Sequence, residues 1–146
     1  MTIYLGADHD GWLLKEKIKL SLQKQGYKVS DQGNLKHEAD DDYPDYAKRV
    51  AVMMKKNKDS RGILCCDSGQ GMLMAANRFQ HLRAAFAHSE ASIKQARQDE
   101  DVNVLCLMTK NLNLKKAESF INTFLSSKFS AIPRYKRRVQ KLTKLG

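Results

Sequence analysis

The sequence predicts an α/β fold, a three-layer α/β/α sandwich around a five-stranded parallel sheet, and three observations carry this. Five short apolar runs, at residues 3–6, 27–31, 62–65, 83–87 and 103–107, have the length of strands. Between them apolar residues recur every three or four positions, as on a buried helix face: Leu13, Leu14, Ile18 and Leu22, then Tyr46, Val50, Met53 and Met54, then Ile93 and Ala96. Strands that alternate with helices imply βαβ units, and right-handed crossovers then cover both faces of a parallel sheet.

The elements follow in order. The first strand closes on Gly6-Ala7-Asp8-His9 and the third on Cys66-Asp67-Ser68-Gly69-Gln70-Gly71, ahead of a helix predicted over 70–79. The fifth strand closes on Cys106 through Lys110. A helix over 114–124 places Ala117, Phe120, Ile121 and Phe124 on one side, and Pro133 suits the first turn of a last, basic helix over about 133–144. With no internal repeat, linker or low-complexity stretch, residues 1–146 read as a single domain.

Composition narrows the function classes. The 146 residues are 42% hydrophobic with two prolines, which fits one domain with one core and excludes disordered and fibrous chains. No stretch approaches the roughly 18 apolar residues that span a bilayer. Met1-Thr2-Ile3-Tyr4 enters a strand without a basic leader, so a cytoplasmic location is expected. Cys65, Cys66 and Cys106 are an odd count without disulfide or zinc spacing, and adjacent Cys65 and Cys66 should face opposite sides of the sheet. No metal and no cofactor is expected. The net charge of +10 is uneven: residues 133–146 carry Arg134, Lys136, Arg137, Arg138, Lys141 and Lys144 without an acid, while residues 38–45 are acidic. A basic tail suits phosphate-bearing metabolites or nucleic acid. Tyr135 is its only interleaved aromatic, so nucleic-acid binding is the weakest reading.

Ligands of doubly wound sheets sit beyond the carboxyl ends of the strands, where strand order reverses. The most specific feature there is residues 67–71, whose Gly69 and Gly71 allow a tight turn that aims N–H groups at an anion; an ordinary strand-to-helix turn is the plain alternative. Cys66 precedes this loop, where a helix terminus would favour its thiolate as nucleophile or base, although buried cysteines commonly only fill space. Asp8 and His9 suit sugar hydroxyls or proton transfer, and compete with a capping Asp beside a surface His. Arg134 and Arg138 share a helix face and make a phosphate clamp or a solvated basic face. His37, His81 and His88 read as loop or strand-end residues without partners.

Together these segments resemble the type B ribose-5-phosphate isomerases and their galactose-6-phosphate isomerase relatives. The landmarks are Gly6-Ala7-Asp8-His9-Asp10-Gly11, Asp42-Tyr43-Pro44, Gly62 through Gly71, Ala75-Ala76-Asn77, Arg97-Gln98, Asn103-Val104-Leu105, and Arg134 with Arg138. The resemblance implies a Rossmann-like sandwich and a homodimer or dimer of dimers whose sites combine residues of two subunits. It implies interconversion of an aldose phosphate and a ketose phosphate, ribose 5-phosphate first, through a cis-enediol without metal. Cys66 then falls on the proton-moving base, Asp8 and His9 on substrate-binding positions, Asp67, Ser68, Gly69, Gln70 and Gly71 on the nest that stabilises the enediolate, and Arg134 and Arg138 on phosphate ligands.

The departures are specific. Asp99 stands where the family places a ring-opening histidine, Glu100 replaces an asparagine and Lys110 a phosphate-binding arginine; Asp67 replaces a glycine, and Leu73 a Ser or Glu. An ordinary carboxylate is ionised at neutral pH and accepts protons without donating them. Asp67 beside Cys66 would raise the thiol pKa unless it points away, and Lys110 keeps charge but loses the guanidinium fork. The alternative is therefore a non-catalytic or partner-dependent sugar-phosphate-binding relative, completed by a related second subunit.

Overall fold

All five apolar runs become strands of one sheet in the computed structural model, which describes residues 1–145; Gly146, the last residue of the expected domain, lies outside them. The strands are β1 (Thr2–Ala7), β2 (Lys28–Asp31), β3 (Arg61–Cys66), β4 (Ala84–Phe86) and β5 (Val104–Met108), every pairing is parallel, and the order is β2-β1-β3-β5-β4. The helices are α1 (Trp12–Lys24), α2 (Tyr43–Lys56), α3 (Gln70–Ala76), α4 (Glu90–Glu100), α5 (Leu114–Ser126) and α6 (Pro133–Leu142).

The pleat sorts each strand between two cores. Ile3, Leu5, Ala7, Ile63, Cys65, Leu105 and Leu107 pack with α1, α4 and α5. Tyr4, Leu64, Cys66, Val104 and Cys106 pack with α2 and α3 on the other face. Adjacent Cys65 and Cys66 therefore enter different cores, as period-two side chains must. The chain leaves β1 toward one edge of the sheet and β3 toward the other, so the strand order reverses between them. Ala7 is in register with Cys65 there, and Asp8 and Cys66 are the next residues on each strand.

Strand ends shift by a residue or so, the helix expected over 114–124 extends to Ser126, and two helix ends fall short of expectation. The helix predicted over 70–79 stops at Ala76, because the Asn77 side chain donates to the Ala84 carbonyl at 3.0 Å and accepts from the Ala84 N–H at 2.9 Å, tying the chain to β4. The last helix stops at Leu142. Nor are two of the histidines without partners. His81 Nε2 donates to the Ala51 carbonyl at 2.8 Å, and the His37 ring meets Trp12 edge-on at 5.8 Å.

One buried charge group stands between α1 and β2. Lys15 is fully buried, with Nζ 2.7 Å from Glu16 Oε1 and 2.5 Å from Asp31 Oδ2; Lys19 Nζ lies 2.6 Å from Glu16 Oε2 and 2.9 Å from Asp31 Oδ2. Burial presses the Asp31 pKa upward, yet bonds from Lys15, Lys19 and the Gly33 amide hold it below the ordinary carboxylate value. A lowered folded pKa stabilises above the unfolded value near 4, and that stability is lost as pH falls through it. Lys15→Ala should cost about 3 kcal/mol at neutral pH, because it empties a fully buried side-chain site and leaves Lys19 as the one lysine on Asp31. Its penalty should shrink in acid, where the wild type has already lost part of this contribution; urea unfolding at both pH values measures it.

Candidate active site

The residues at the carboxyl ends of β1 and β3 form one cluster. Asp8 is buried, and its Oδ1 accepts from the Gly11 N–H at 2.9 Å. Burial raises its pKa, the Gly11 amide opposing. Cys66 is 5% exposed. Burial pushes its thiol up; the backbone N–H groups of Met72, Gly69 and Gly71 work against this, and the nearby Asp8 carboxylate adds to it. This corrects the expectation that a helix terminus holds Cys66 partly as thiolate: α3 is only seven residues long, and desolvation outweighs its amides.

The loop conformation explains those amides. Gly69 caps α3 with φ +75°, the left-handed region that glycine adopts without penalty, and a Cβ there would lie 2.6 Å from the Phe86 ring. A Cβ on Gly71 would lie 2.9 Å from the Tyr43 ring. Asp67, Ser68 and Gln70 are exposed along the loop's outer edge, and Asp8 is the carboxylate that most raises the thiol pKa. The end of β5 closes over the loop through Thr109 N–H donating to the Cys66 carbonyl at 3.0 Å and Lys110 N–H to the Asp67 carbonyl at 3.3 Å. Lys110 is exposed beside it.

A residue that the sequence did not single out organises this end. Asp41 Oδ1 accepts from the His9 backbone N–H at 3.1 Å and lies 2.7 Å from His9 Nδ1, while Oδ2 accepts from Asn34 Nδ2 at 2.6 Å. Burial works to raise the Asp41 pKa, but the bonds from His9, Asn34 and the Tyr46 hydroxyl hold it below the ordinary value. The Asp41 bond in turn raises the His9 pKa, with Asp10 contributing. Asp8, His9 and Asp10 bring donor atoms within 4.8 Å of one another. Asp41 takes one His9 nitrogen and the Gly11 amide one Asp8 oxygen, so part of this donor set is engaged in hydrogen bonds.

Four predicted site residues stand elsewhere in the same chain. α4 starts beyond the carboxyl end of β4 and runs back, so Asp99 and Glu100 lie at the amino end of the sheet, opposite Cys66. Arg83 and Arg97 fix that corner on Asp101 at 2.8 and 2.9 Å. The segment before α6 is tied to it by Ser130, which donates to the Gln98 carbonyl through N–H at 3.0 Å and Oγ at 2.7 Å. Arg134 and Arg138 follow on exposed α6, both against the Tyr135 ring, at 4.8 and 5.9 Å from its centroid, and Arg134 donates to the Tyr135 hydroxyl at 3.1 Å. Tyr135 thereby holds the two guanidinium groups near one another. A cavity of about 920 Å³ opens at this end, lined by Arg78, Arg83, Glu100, Val102, Leu142 and Leu145 among others.

No helix among the described residues is long and apolar enough to cross a membrane. The family pattern described as Ribose/Galactose Isomerase matches residues 3–142. The chain is 33% identical to the ribose-5-phosphate isomerase B of Escherichia coli (strain K12), covering 97% of this chain and 93% of that one. Among solved structures, a ribose 5-phosphate isomerase from Thermotoga maritima superposes with a TM-score of 0.93 at 36% identity, over 99% of this chain and 98% of that one. Ribose-5-phosphate isomerase B from Mycoplasma genitalium, with bound ribulose-5-phosphate, superposes with a TM-score of 0.92 at 37% identity, over 98% and 94%. A five-stranded parallel sheet with Cys66 at its switch point, and a family pattern spanning nearly every residue, lead to one conclusion: the chain belongs to the Ribose/Galactose Isomerase family.

Proposed function

We propose that the protein is an aldose–ketose isomerase of a sugar phosphate, converting ribose 5-phosphate to ribulose 5-phosphate in the cytoplasm. The observation that carries this is Cys66, seated at the switch point under three backbone N–H groups with Asp8 near it and His9 next in the chain. As thiolate, Cys66 takes a proton from C2 of the open-chain aldose and returns it to C1 through a cis-enediol. The Gly69, Gly71 and Met72 amides that face the sulfur also face the charge that develops beside it. Asp8 and His9 hold sugar hydroxyls, and Ser68, Gln70 and Asp67 offer polar groups along the loop. The relative with bound ribulose-5-phosphate supports the substrate class.

The separation of the two residue groups supports a homodimer, alone or paired as a dimer of dimers. Arg134 and Arg138 of a second copy bring the phosphate clamp to Cys66, with Asp99 and Glu100 beside it and Lys110 adding charge from the Cys66 side. The non-catalytic reading gains nothing from the relatives, which carry isomerase names over nearly their whole length.

Mixing two crippled forms tests the shared site. Cys66→Ala and Arg138→Ala should each be poorly active alone. Co-refolded in equal amounts, they should recover about a quarter of wild-type turnover, since half the dimers are mixed and one of their two sites is intact. A mixture no more active than its parts would place both groups in one subunit's site; a wild type that leaves ribose 5-phosphate unchanged would remove the isomerase itself.

A further inference from the structure

Opening a furanose ring needs a group that protonates the ring oxygen. The family resemblance assigns this to position 99, where this chain has a carboxylate with another, Glu100, beside it. The Cys66 end holds an imidazole of its own. His9 is fixed through Nδ1 at 2.7 Å and its backbone N–H at 3.1 Å to one oxygen of Asp41, whose side chain is only 4% exposed. The other Asp41 oxygen is anchored by Asn34. With Nδ1 held inward, Nε2 is the free working nitrogen. Its one neighbour is Asp10 Oδ2 at 3.3 Å, on a side chain half exposed and able to swing aside.

We infer that His9 is the ring-opening proton shuttle of this enzyme, with Asp41 as its positioning residue, so that the task assigned by resemblance to position 99 is performed from the end of β1. This rests on the isomerase reading above. Nε2–H gives its proton to the ring oxygen as the bond from C1 to that oxygen breaks; the electron pair stays on the oxygen, which becomes the C4 hydroxyl. The anomeric O–H pair becomes the second bond of the C1 carbonyl, and its proton returns to Nε2. No proton is gained or lost overall. The charged groups facing the ring are Asp8, Asp10 and Asp41, all carboxylates, and they favour the protonated imidazole.

The test compares wild type, His9→Gln and Asp41→Asn from about pH 6 to 9 with two readouts. One is isomerisation of ribose 5-phosphate, which is largely cyclic. The other is loss of C1 deuterium from labelled ribulose 5-phosphate, an open-chain sugar that needs Cys66 and no ring opening. His9→Gln should lose about 100-fold or more from the first readout, and at least about tenfold less from the second. Asp41→Asn should lose less, and should move the alkaline decline of isomerisation to lower pH by about one unit, since a neutral partner no longer favours imidazolium. Equal losses in both readouts would make His9 a binding residue only, and unchanged isomerisation in His9→Gln would assign ring opening elsewhere; either overturns the inference while leaving the isomerase intact. A wild type active in neither readout would remove the isomerase reading, and this one with it.

Discussion

Cys66→Ala should lower turnover of ribose 5-phosphate on the order of 10³- to 10⁴-fold, with little change in how tightly the sugar phosphate binds. Three backbone amides face the sulfur at the switch point, and the carboxylate that most raises its pKa is Asp8. Cys65→Ala is the matched control. That thiol lies one residue away but faces the α1, α4 and α5 core, fully buried, and burial takes its pKa outside any useful range. Losing it should cost about 1–2 kcal/mol of packing and leave catalysis standing. Because burial raises the Cys66 pKa, deuterium exchange in wild type should climb toward alkaline pH as the thiolate fraction grows. Similar activity in the two alanine variants would move the base away from Cys66.

Gly11→Ala is the second large effect, and it concerns the fold. A Cβ at Gly11 would lie 2.2 Å from the Cys65 carbonyl oxygen and 2.5 Å from its carbon. Both are backbone atoms of a central strand, so neither can yield. Gly11 also donates to the Asp8 carboxylate, so the same clash would unseat Asp8 and the start of α1. The expected loss is at least about 4 kcal/mol, read by denaturant unfolding. Gly26→Ala is the contrast: nothing lies within 4 Å of that Cβ, and φ is +85°, so the left-handed strain of about 1–2 kcal/mol is the whole cost. Comparable losses at the two positions would mean that the β1–α1 turn relaxes freely.

The sheet was legible because its strands are short apolar runs, three of them closing on Asp8, Asp31 or Asp67, and because alternation with helices admits few topologies. The loop after β3 was legible for the same reason: its glycines stand where a parallel strand must end. Asp41 was not. It is the middle of three consecutive aspartates, and its partner His9 lies 32 residues away, so only the folded chain distinguishes it from its neighbours. Tyr135 read as an isolated aromatic in a basic tail, since stacking under two arginines leaves no periodic mark. The thiol pKa went the opposite way to expectation because sequence displays the glycines and the helix start, but not how completely Cys66 is withdrawn from water.

That withdrawal bears on how long the enzyme lasts. Burial that raises a thiol pKa lowers its thiolate fraction at neutral pH, and the thiolate is the form that peroxides and alkylating agents attack. At 5% exposure the residue is also shielded from bulky reagents. If Cys66 is the base, as proposed, it is kept in a chemically dormant form between turnovers and resists oxidants better than an exposed thiol would.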